Sequence, residues 1–221
     1  MRLSVVPLIA ALAVFCALPA KGREPESPKR CVDVVIVARI VRQTPTEIPE
    51  IPGQIIMRWP WVVDLEVEEV VAGSEKRARI QVTMSMHSEF TSRIRHGLFL
   101  LRRSEHGRYA VVDWDSHVVT DRSGEFVMPV AEQPRDYDLA PEGWLPANYE
   151  SWLRPIRYRS GQAWWLNMNY EGEDRPPNGE DAWRTVTKGV VVAKRGFKTS
   201  DVPTLLEAAH LSPCEADATA P

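Results

Sequence analysis

Residues 61–67 read Trp-Val-Val-Asp-Leu-Glu-Val, and this stretch has the clearest strand pattern in the chain. Apolar side chains at positions 61, 63, 65 and 67 alternate with Val62, Asp64 and Glu66. Successive side chains of a β-strand point to opposite faces of the sheet. A period of two with carboxylates on one side therefore predicts a strand with one buried face and one face in water.

The segments on either side carry further strand signals. Residues 32–41 are dominated by β-branched side chains, which is typical of a strand covered on both faces. Ala72-Gly73-Ser74 predicts a turn after the strand that contains residues 61–67. Strands at short intervals without a strong helix between them predict a mostly β fold, a small antiparallel barrel or sandwich. The remaining strand segments are predicted at residues 79–84, 97–101, 108–114, 116–120 and 125–130.

The chain changes character after residue 130. Residues 131–221 are rich in proline and aromatic side chains, with one further predicted strand at 190–193. Thr204 and Glu207 have the spacing of a capping box, which predicts a short C-terminal helix. We therefore expect a β domain at residues 31–130 and an aromatic-rich C-terminal extension that packs on it.

The first 22 residues predict export. Arg2 is followed by an uncharged, mostly apolar run to position 18, which is the layout of a signal peptide. A membrane-spanning helix takes ~20 apolar residues to cross a hydrocarbon core of ~30 Å, and this run is short for that purpose. Small residues at positions 20 and 22 favour cleavage after Gly22, which leaves residues 23–30 as a flexible leader. We expect a periplasmic or secreted protein whose exported part has no membrane span.

Composition limits the classes of partner. The formal net charge is -3, and removal of Arg2 and Lys21 brings it near -5. This balance gives no electrostatic reason to expect nucleic acid or an anionic membrane as a partner. Hydrophobic residues make up 44% of the chain, which is enough for a substantial core.

Two cysteines, Cys31 and Cys214, remain after the predicted cleavage site. In an oxidising compartment such a pair predicts a disulfide, which here would tie the two ends of the exported chain together. The alternative is two independent buried thiols.

The order of these signals resembles the OB-type barrel of netrin modules and metalloproteinase-inhibitor-like (TIMP-like) domains. Cys31 leads the first strand, a valine-rich strand ends at Gly73-Ser74, and another begins Gly97-Leu98-Phe99-Leu100. The resemblance covers roughly residues 31–114 and implies an OB-like barrel with a protein-binding role. It does not imply inhibitor residues, because inhibitory members place a free N-terminal cysteine on the target's zinc. Here residues precede Cys31, and the family's additional disulfides are missing.

Asp113, Asp115 and His117 are candidates for chemistry. Their spacing of two places all three on one face of an extended strand. Two carboxylates and an imidazole could bind a divalent metal ion or act as an acid and a base. The alternative is the wet side of an edge strand, which has the same spacing.

A second candidate site lies in the extension, where arginines alternate with aromatic residues. Aromatic platforms beside arginines hold sugars, bases or anionic groups. The alternative is that the tryptophans anchor the core while the arginines extend to solvent. The residues of this candidate binding site are Trp152, Arg154, Arg157, Trp164 and Trp165.

The sequence contains no Gly-x-Ser-x-Gly elbow, His-Glu-x-x-His helix motif or phosphate-binding glycine loop. We therefore expect a non-catalytic domain without a cofactor that binds another envelope or secreted protein. One alternative is a secreted metal-dependent hydrolase that uses the residues at 113, 115 and 117. The other is a glycan-binding module that uses the tryptophans at 152, 164 and 165.

Overall fold

A computed structural model describes most of the chain after residue 30. The predicted signal peptide and leader lie outside the described residues. The described ranges are residues 31–47, 53, 56–90, 96–104, 107–115, 118–135, 138–140, 143–158, 178–187, 190–211 and 213–214.

The described residues form twelve strands, two short 3₁₀ helices and one α-helix. The strands are β1 (Val34–Pro45), β2 (Trp59–Ala72), β3 (Arg79–Met86), β4 (His96–Arg103), β5 (Tyr109–Asp115), β6 (Val119–Thr120), β7 (Phe126–Val130), β8 (Arg154–Pro155), β9 (Gly179–Glu180), β10 (Arg184–Thr187), β11 (Val190–Ala193) and β12 (Arg195–Lys198). The helices are the 3₁₀ turns Tyr149–Trp152 and Thr199–Asp201 and the α-helix α1 (Val202–Ala208).

The first five strands close into a barrel in the order β1-β2-β3-β5-β4. Strand β4 pairs with both β1 and β5, so the chain crosses the barrel between β3 and β4. As a result β3 and β5 run parallel, whereas the other pairs of the barrel are antiparallel. The predicted mostly β class is confirmed, and this small five-stranded barrel is compatible with an OB-like fold.

The alternating residues of segment 61–67 fill the barrel interior. Trp61, Val63 and Leu65 are buried, and Asp64 and Glu66 lie on the outer wall. Strand β3 follows the same rule, with exposed and buried residues alternating along its whole length. The apolar side chains of both strands therefore meet in one core.

Residues 34–38 of β1 and 97–101 of β4 are buried on both faces of their strands. In β1, Val34 and Ile36 face the barrel interior, whereas Val35 and Val37 belong to a second apolar cluster on the outside. In β4 the residues at 99 and 101 face inward and those at 98 and 100 face outward. The unbroken apolar sequence of these two stretches follows from this double burial.

The outer cluster is covered by residues from the second half of the chain. Strands β6, β7, β12 and β8 form a four-stranded sheet in that order, and β11, β10 and β9 form a three-stranded sheet. The predicted strand segments at 116–120 and 125–130 contain β6 and β7, which pair as a hairpin around residues 121–124 in the four-stranded sheet and not in the barrel. The exact division between a β domain and an extension at residue 130 stays a prediction.

The predicted short C-terminal helix is confirmed as α1. It begins at Val202 with Pro203 in its first turn, so Thr204 lies inside the helix and does not cap it. Leu205 and Leu206 are buried in the outer cluster. Within the described ranges, no helix is long and apolar enough to cross a membrane.

The predicted disulfide is present. Cys31 and Cys214 are bonded across a sequence separation of 183, with their Cα atoms 4.8 Å apart. Val32 and Leu211 lie close in sequence to the two cysteines and are buried in the outer cluster. The bond therefore joins the first described residue of the barrel to the end of the segment that covers it.

The turn after β2 requires glycine. Gly73 has a φ of +76°, and a Cβ atom placed there would lie 2.2 Å from the carbonyl oxygen of Asp33. Gly107 also has a positive φ, of +70°, but a Cβ atom at that position would have open space within 4 Å. A side chain at position 107 would therefore meet only backbone strain, whereas one at position 73 would meet both backbone strain and a steric clash.

We predict that Gly73→Ala destabilises the protein more than Gly107→Ala. A positive φ alone costs an L-residue about 1–2 kcal/mol, and only position 73 adds a collision with backbone. Urea unfolding of both variants measures the difference. Equal losses of unfolding free energy would show that the contact with Asp33 is unimportant.

We also predict that the Cys31→Ser/Cys214→Ser double variant loses roughly 2–5 kcal/mol of unfolding free energy, because the bond closes a very long loop. Denaturant unfolding measures the loss. In the unreduced protein neither cysteine should react with iodoacetamide under denaturing conditions, and alkylation of both would refute the bond.

Candidate functional site

The candidate binding segment lies at the edge of the four-stranded sheet. Trp152 ends a 3₁₀ helix and is half-buried against the outer cluster. Its indole Nε1 is buried and has no hydrogen-bond acceptor among the described residues. Arg154 and Arg157 are exposed. Trp164 and Trp165 lie outside the described residues, so the structure brings together three of the five predicted residues.

Two further arginines lie beside Arg154 and Arg157. The backbone N–H of Arg122 donates to the carbonyl oxygen of Arg157 at 2.9 Å. Arg195 pairs in register with Pro155, so its side chain lies on the opposite face of the sheet from that of Arg154. All four arginines are exposed, and together they surround this edge of the sheet on both faces. We refer to Arg122, Arg154, Arg157 and Arg195 as the arginine surface.

Glycine and a tight turn bring these segments together. Gly196 lies opposite Arg154, and a Cβ there would lie 2.2 Å from the Met128 carbonyl oxygen and 2.7 Å from the Ile156 side chain. On the other side, the Asp121 carboxylate accepts from the Ser123 backbone N–H at 2.8 Å. Burial raises the pKa of Asp121, but hydrogen bonds from Ser123 and the following backbone outweigh it and lower the pKa overall.

The arginine surface has no carboxylate partner among the described residues. Arg154 donates to the carbonyl oxygen of Ser151 at 2.8 Å, and Arg122 Nε donates to that of Tyr158 at 2.9 Å. Within the part of the chain that the structure describes, none of the four guanidinium groups forms an ion pair with a carboxylate. Backbone carbonyls orient the guanidinium groups of Arg122 and Arg154 without neutralising them.

On the outer wall of the barrel, by contrast, arginines form ion pairs with carboxylates. Arg39 pairs with Glu66, and Arg42 Nε lies 2.7 Å from Asp64 Oδ2. A hydrogen bond from Gln81 and the neighbouring Arg42 hold the pKa of Asp64 below its usual range. OB-type barrels bind nucleic acids and sugars on strands 2 and 3, often by stacking on aromatic residues. Here that wall carries paired charges, and the outward residues of β3 are polar.

The candidate acid–base residues are only partly described. Asp113 is half-buried in β5 and has an interaction partner. Asp115 ends the same strand, but its side chain and the whole of His117 lie outside the described parts. Among described side chains, no three of His, Cys, Asp and Glu could hold a metal ion together. The metal or acid–base role of these three residues stays a prediction.

The structure also reveals two interacting carboxyl groups that the sequence analysis did not single out. Glu69 on β2 lies with its Oε1 3.4 Å from Oγ1 of the fully buried Thr199. Glu125 accepts from Lys198 Nζ and Ser200 Oγ, each at 2.5 Å. Burial and the charge of Glu125 raise the pKa of Glu69, whereas the bonds from Lys198 and Ser200 lower the pKa of Glu125. No sequence motif marks this pair, because its members come from β2 and the second sheet.

We predict that Glu69→Gln stabilises the protein at neutral pH, by roughly 1–3 °C in Tm for a chain of this size. A raised pKa means that the folded state holds the Glu69 proton more tightly than the unfolded chain does. The stability that Glu69 contributes in its protonated form is therefore fully present below pH 4.5, the ordinary pKa of a glutamate. It is lost as the pH rises through the pKa of Glu69 in the folded state.

The stabilisation by glutamine should accordingly disappear as the pH falls below that ordinary value. Thermal unfolding between about pH 3.5 and about pH 8, a range that begins below the ordinary pKa of a glutamate, measures the change. Glu207→Gln on the exposed side of α1 is the matched control and should show no such dependence. A Glu69→Gln variant that is less stable at neutral pH would contradict the prediction.

No protein-family model matches the chain, and neither the curated proteins nor the solved structures contain a match to it. The resemblance to netrin and TIMP-like domains therefore extends as far as a small closed barrel compatible with an OB-like fold. Since one fold serves many functions, the function has to be argued from the surface itself.

Proposed function

We propose that this chain is an exported, non-catalytic binding protein that holds an acidic segment of another envelope or secreted protein on the arginine surface. The observation that carries the proposal is the group of four exposed arginines that lack a carboxylate partner among the described residues. They lie on a protein whose overall charge is negative, at -3. A basic surface on an acidic protein favours partners of opposite charge at that place alone.

Arginine suits such a role because its planar guanidinium binds a carboxylate through two parallel hydrogen bonds. The hydrogen bonds of Arg122 and Arg154 to backbone carbonyls leave further N–H donors on each group for a partner. These internal bonds also reduce the conformational freedom that the side chains would lose on binding.

The edge strand favours recognition through side chains. Strand β8 has only two residues, Arg154 and Pro155, and proline has no backbone N–H to offer an added strand. Proline and charge on an edge strand also discourage pairing between sheets. A partner would therefore contact the guanidinium groups and not extend the sheet.

The position of Trp152 supports a protein partner over a glycan. Its ring packs against the outer cluster and is half-buried, so it offers little face for a sugar to stack on. The half-buried ring instead supports the segment that carries Arg154 and Arg157.

The disulfide supports export. Such bonds persist in oxidising compartments and are rare in the cytosol. A bonded pair that joins residues 31 and 214 is consistent with the signal peptide expected in the first 22 residues.

We predict that Arg154→Glu/Arg157→Glu weakens binding of a fluorescent oligo-glutamate peptide by about tenfold or more, because like charges then face each other. Fluorescence anisotropy measures the affinity. Binding by the unaltered protein should weaken as salt is raised, since exposed charges are screened beyond ~8–10 Å. The same two proteins are then used as bait in envelope extract, and the amount of partner that each one captures is compared.

Arg102→Glu/Arg108→Glu provides the matched control, because it makes the same charge change with exposed arginines of the barrel. The control should keep most of the affinity for the peptide and the captured partner. Equal loss in both variants would mean that only net charge matters, and the proposal would fail. Binding that does not respond to salt would also contradict it.

A further inference from the structure

A group of sulfur, aromatic and imidazole side chains lies at one end of the barrel, where β2 begins and β3 ends. Trp59 pairs across the strands with Met86, and Trp61 pairs with Met84. The two indole rings stack with centroids 5.8 Å apart. The His87 ring lies edge-on to Trp59 at 6.5 Å. Met86 and the His87 ring therefore both lie next to the same tryptophan.

The backbone fixes the orientation of His87. Its Nδ1 lies 2.6 Å from the carbonyl oxygen of Met57. A carbonyl oxygen can only accept, so Nδ1 carries the proton and the neutral ring presents its lone pair at Nε2. Histidines that bind metal ions commonly donate their other ring N–H to a carbonyl or carboxylate in this way.

A second contact holds the segment that follows His87. The side-chain amide of Gln43 accepts from the Phe90 backbone N–H at 2.7 Å and donates to the Phe90 carbonyl at 3.1 Å. Phe90 itself is buried in the barrel core. The short segment 87–90 is therefore attached at both ends, to Met57 and to β1.

The side chains in this group that could bind a metal ion are thioethers and an imidazole, which suit soft metal ions. Met57 is 60% exposed and its backbone holds His87, while Met86 is buried directly before His87 in the chain. Both described cysteines are disulfide-bonded, so thioethers are the sulfur ligands that the described chain offers. No described trio of His, Cys, Asp and Glu is present for a harder divalent ion. Thioethers with imidazole favour Cu(I) among the physiological metals, and Ag(I) has the same preference.

We propose that His87 Nε2 and the thioether sulfurs of Met57 and Met86 form a binding site for a soft monovalent cation, Cu(I) or Ag(I), beside the indole of Trp59. The exposed Met57 and His87 form the solvent side of the site, and Met86 forms its floor. The site shares no residue with the arginine surface, so either proposal can fail while the other stands.

The test uses the full chain with Cys16→Ser, because Cys16 is the one cysteine outside the disulfide and its thiol would bind silver itself. Isothermal titration with silver nitrate in chloride-free buffer should show one Ag(I) per chain. His87→Asn keeps a side-chain N–H for the Met57 carbonyl but removes Nε2. Met57→Leu removes an exposed sulfur. Each should weaken Ag(I) binding by at least about tenfold.

X-ray absorption of the Cu(I)-loaded protein identifies the ligands directly. Sulfur and imidazole should both contribute in the unaltered site, and His87→Asn should lose the imidazole contribution. Met86→Leu is the third variant; should it fail to fold, the other two still decide the question.

His210→Asn and Met128→Leu are the matched controls, since they remove one imidazole and one thioether from other parts of the structure. Both should bind Ag(I) as the unaltered site does. The proposal is overturned if no Ag(I) binds, or if His87→Asn and Met57→Leu bind it as tightly as the controls.

Discussion

The fold depends on two strands that are buried on both faces. One face of β1 and β4 fills the barrel, and the other forms the floor on which the four-stranded sheet and α1 pack. The doubly buried stretches, residues 34–38 of β1 and 97–101 of β4, contain no polar side chain, because a buried polar group without a partner is costly. Charged side chains appear only where these strands leave the core, as at Arg39, Arg42 and Arg102.

Charged side chains have different partners on different surfaces of the protein. On the barrel wall Arg42 and Asp64 neutralise each other, and after the β2 turn Glu75 accepts from Arg77 and from the Tyr109 hydroxyl. Hydrogen bonds from the Arg77 side chain hold the pKa of Glu75 well below its usual range. In the arginine surface, backbone carbonyls instead orient the guanidinium groups of Arg122 and Arg154. Neither group has a carboxylate partner within the described ranges.

The two ends of the barrel carry different kinds of side chain. The end near Glu75 is closed by charged and hydroxyl groups, with the guanidinium carbons of Arg77 and Arg103 lying 5.4 and 5.7 Å from the centre of the Tyr109 ring. The other end has tryptophan rings, thioethers and one imidazole, all of them polarisable and weakly hydrated. Both sets lie near strand ends, where buried core residues such as Tyr109 and Met86 meet exposed ones such as Arg77 and His87. Chemistry at the two ends can therefore differ without disturbing the barrel between them.

Local patterns account for much of this structure. The alternation of residues 61–67, the glycine turn at 73 and the apolar run of β4 predict strands and their buried faces, because side-chain direction in a strand depends only on neighbouring residues. The cysteine pair also follows from the sequence, since two thiols in an oxidising compartment have one intramolecular partner each.

Tertiary structure alone decided the rest. It placed β4 between β1 and β5, paired β12 with β7 and β8, and brought Arg122 beside Arg157 and Arg195 beside Pro155. These contacts join segments far apart in the chain, and short strands such as β8 and β12 have too few residues to show a period. Which edges pair is set by backbone hydrogen bonding and shared burial across the whole domain, and no local pattern contains that information.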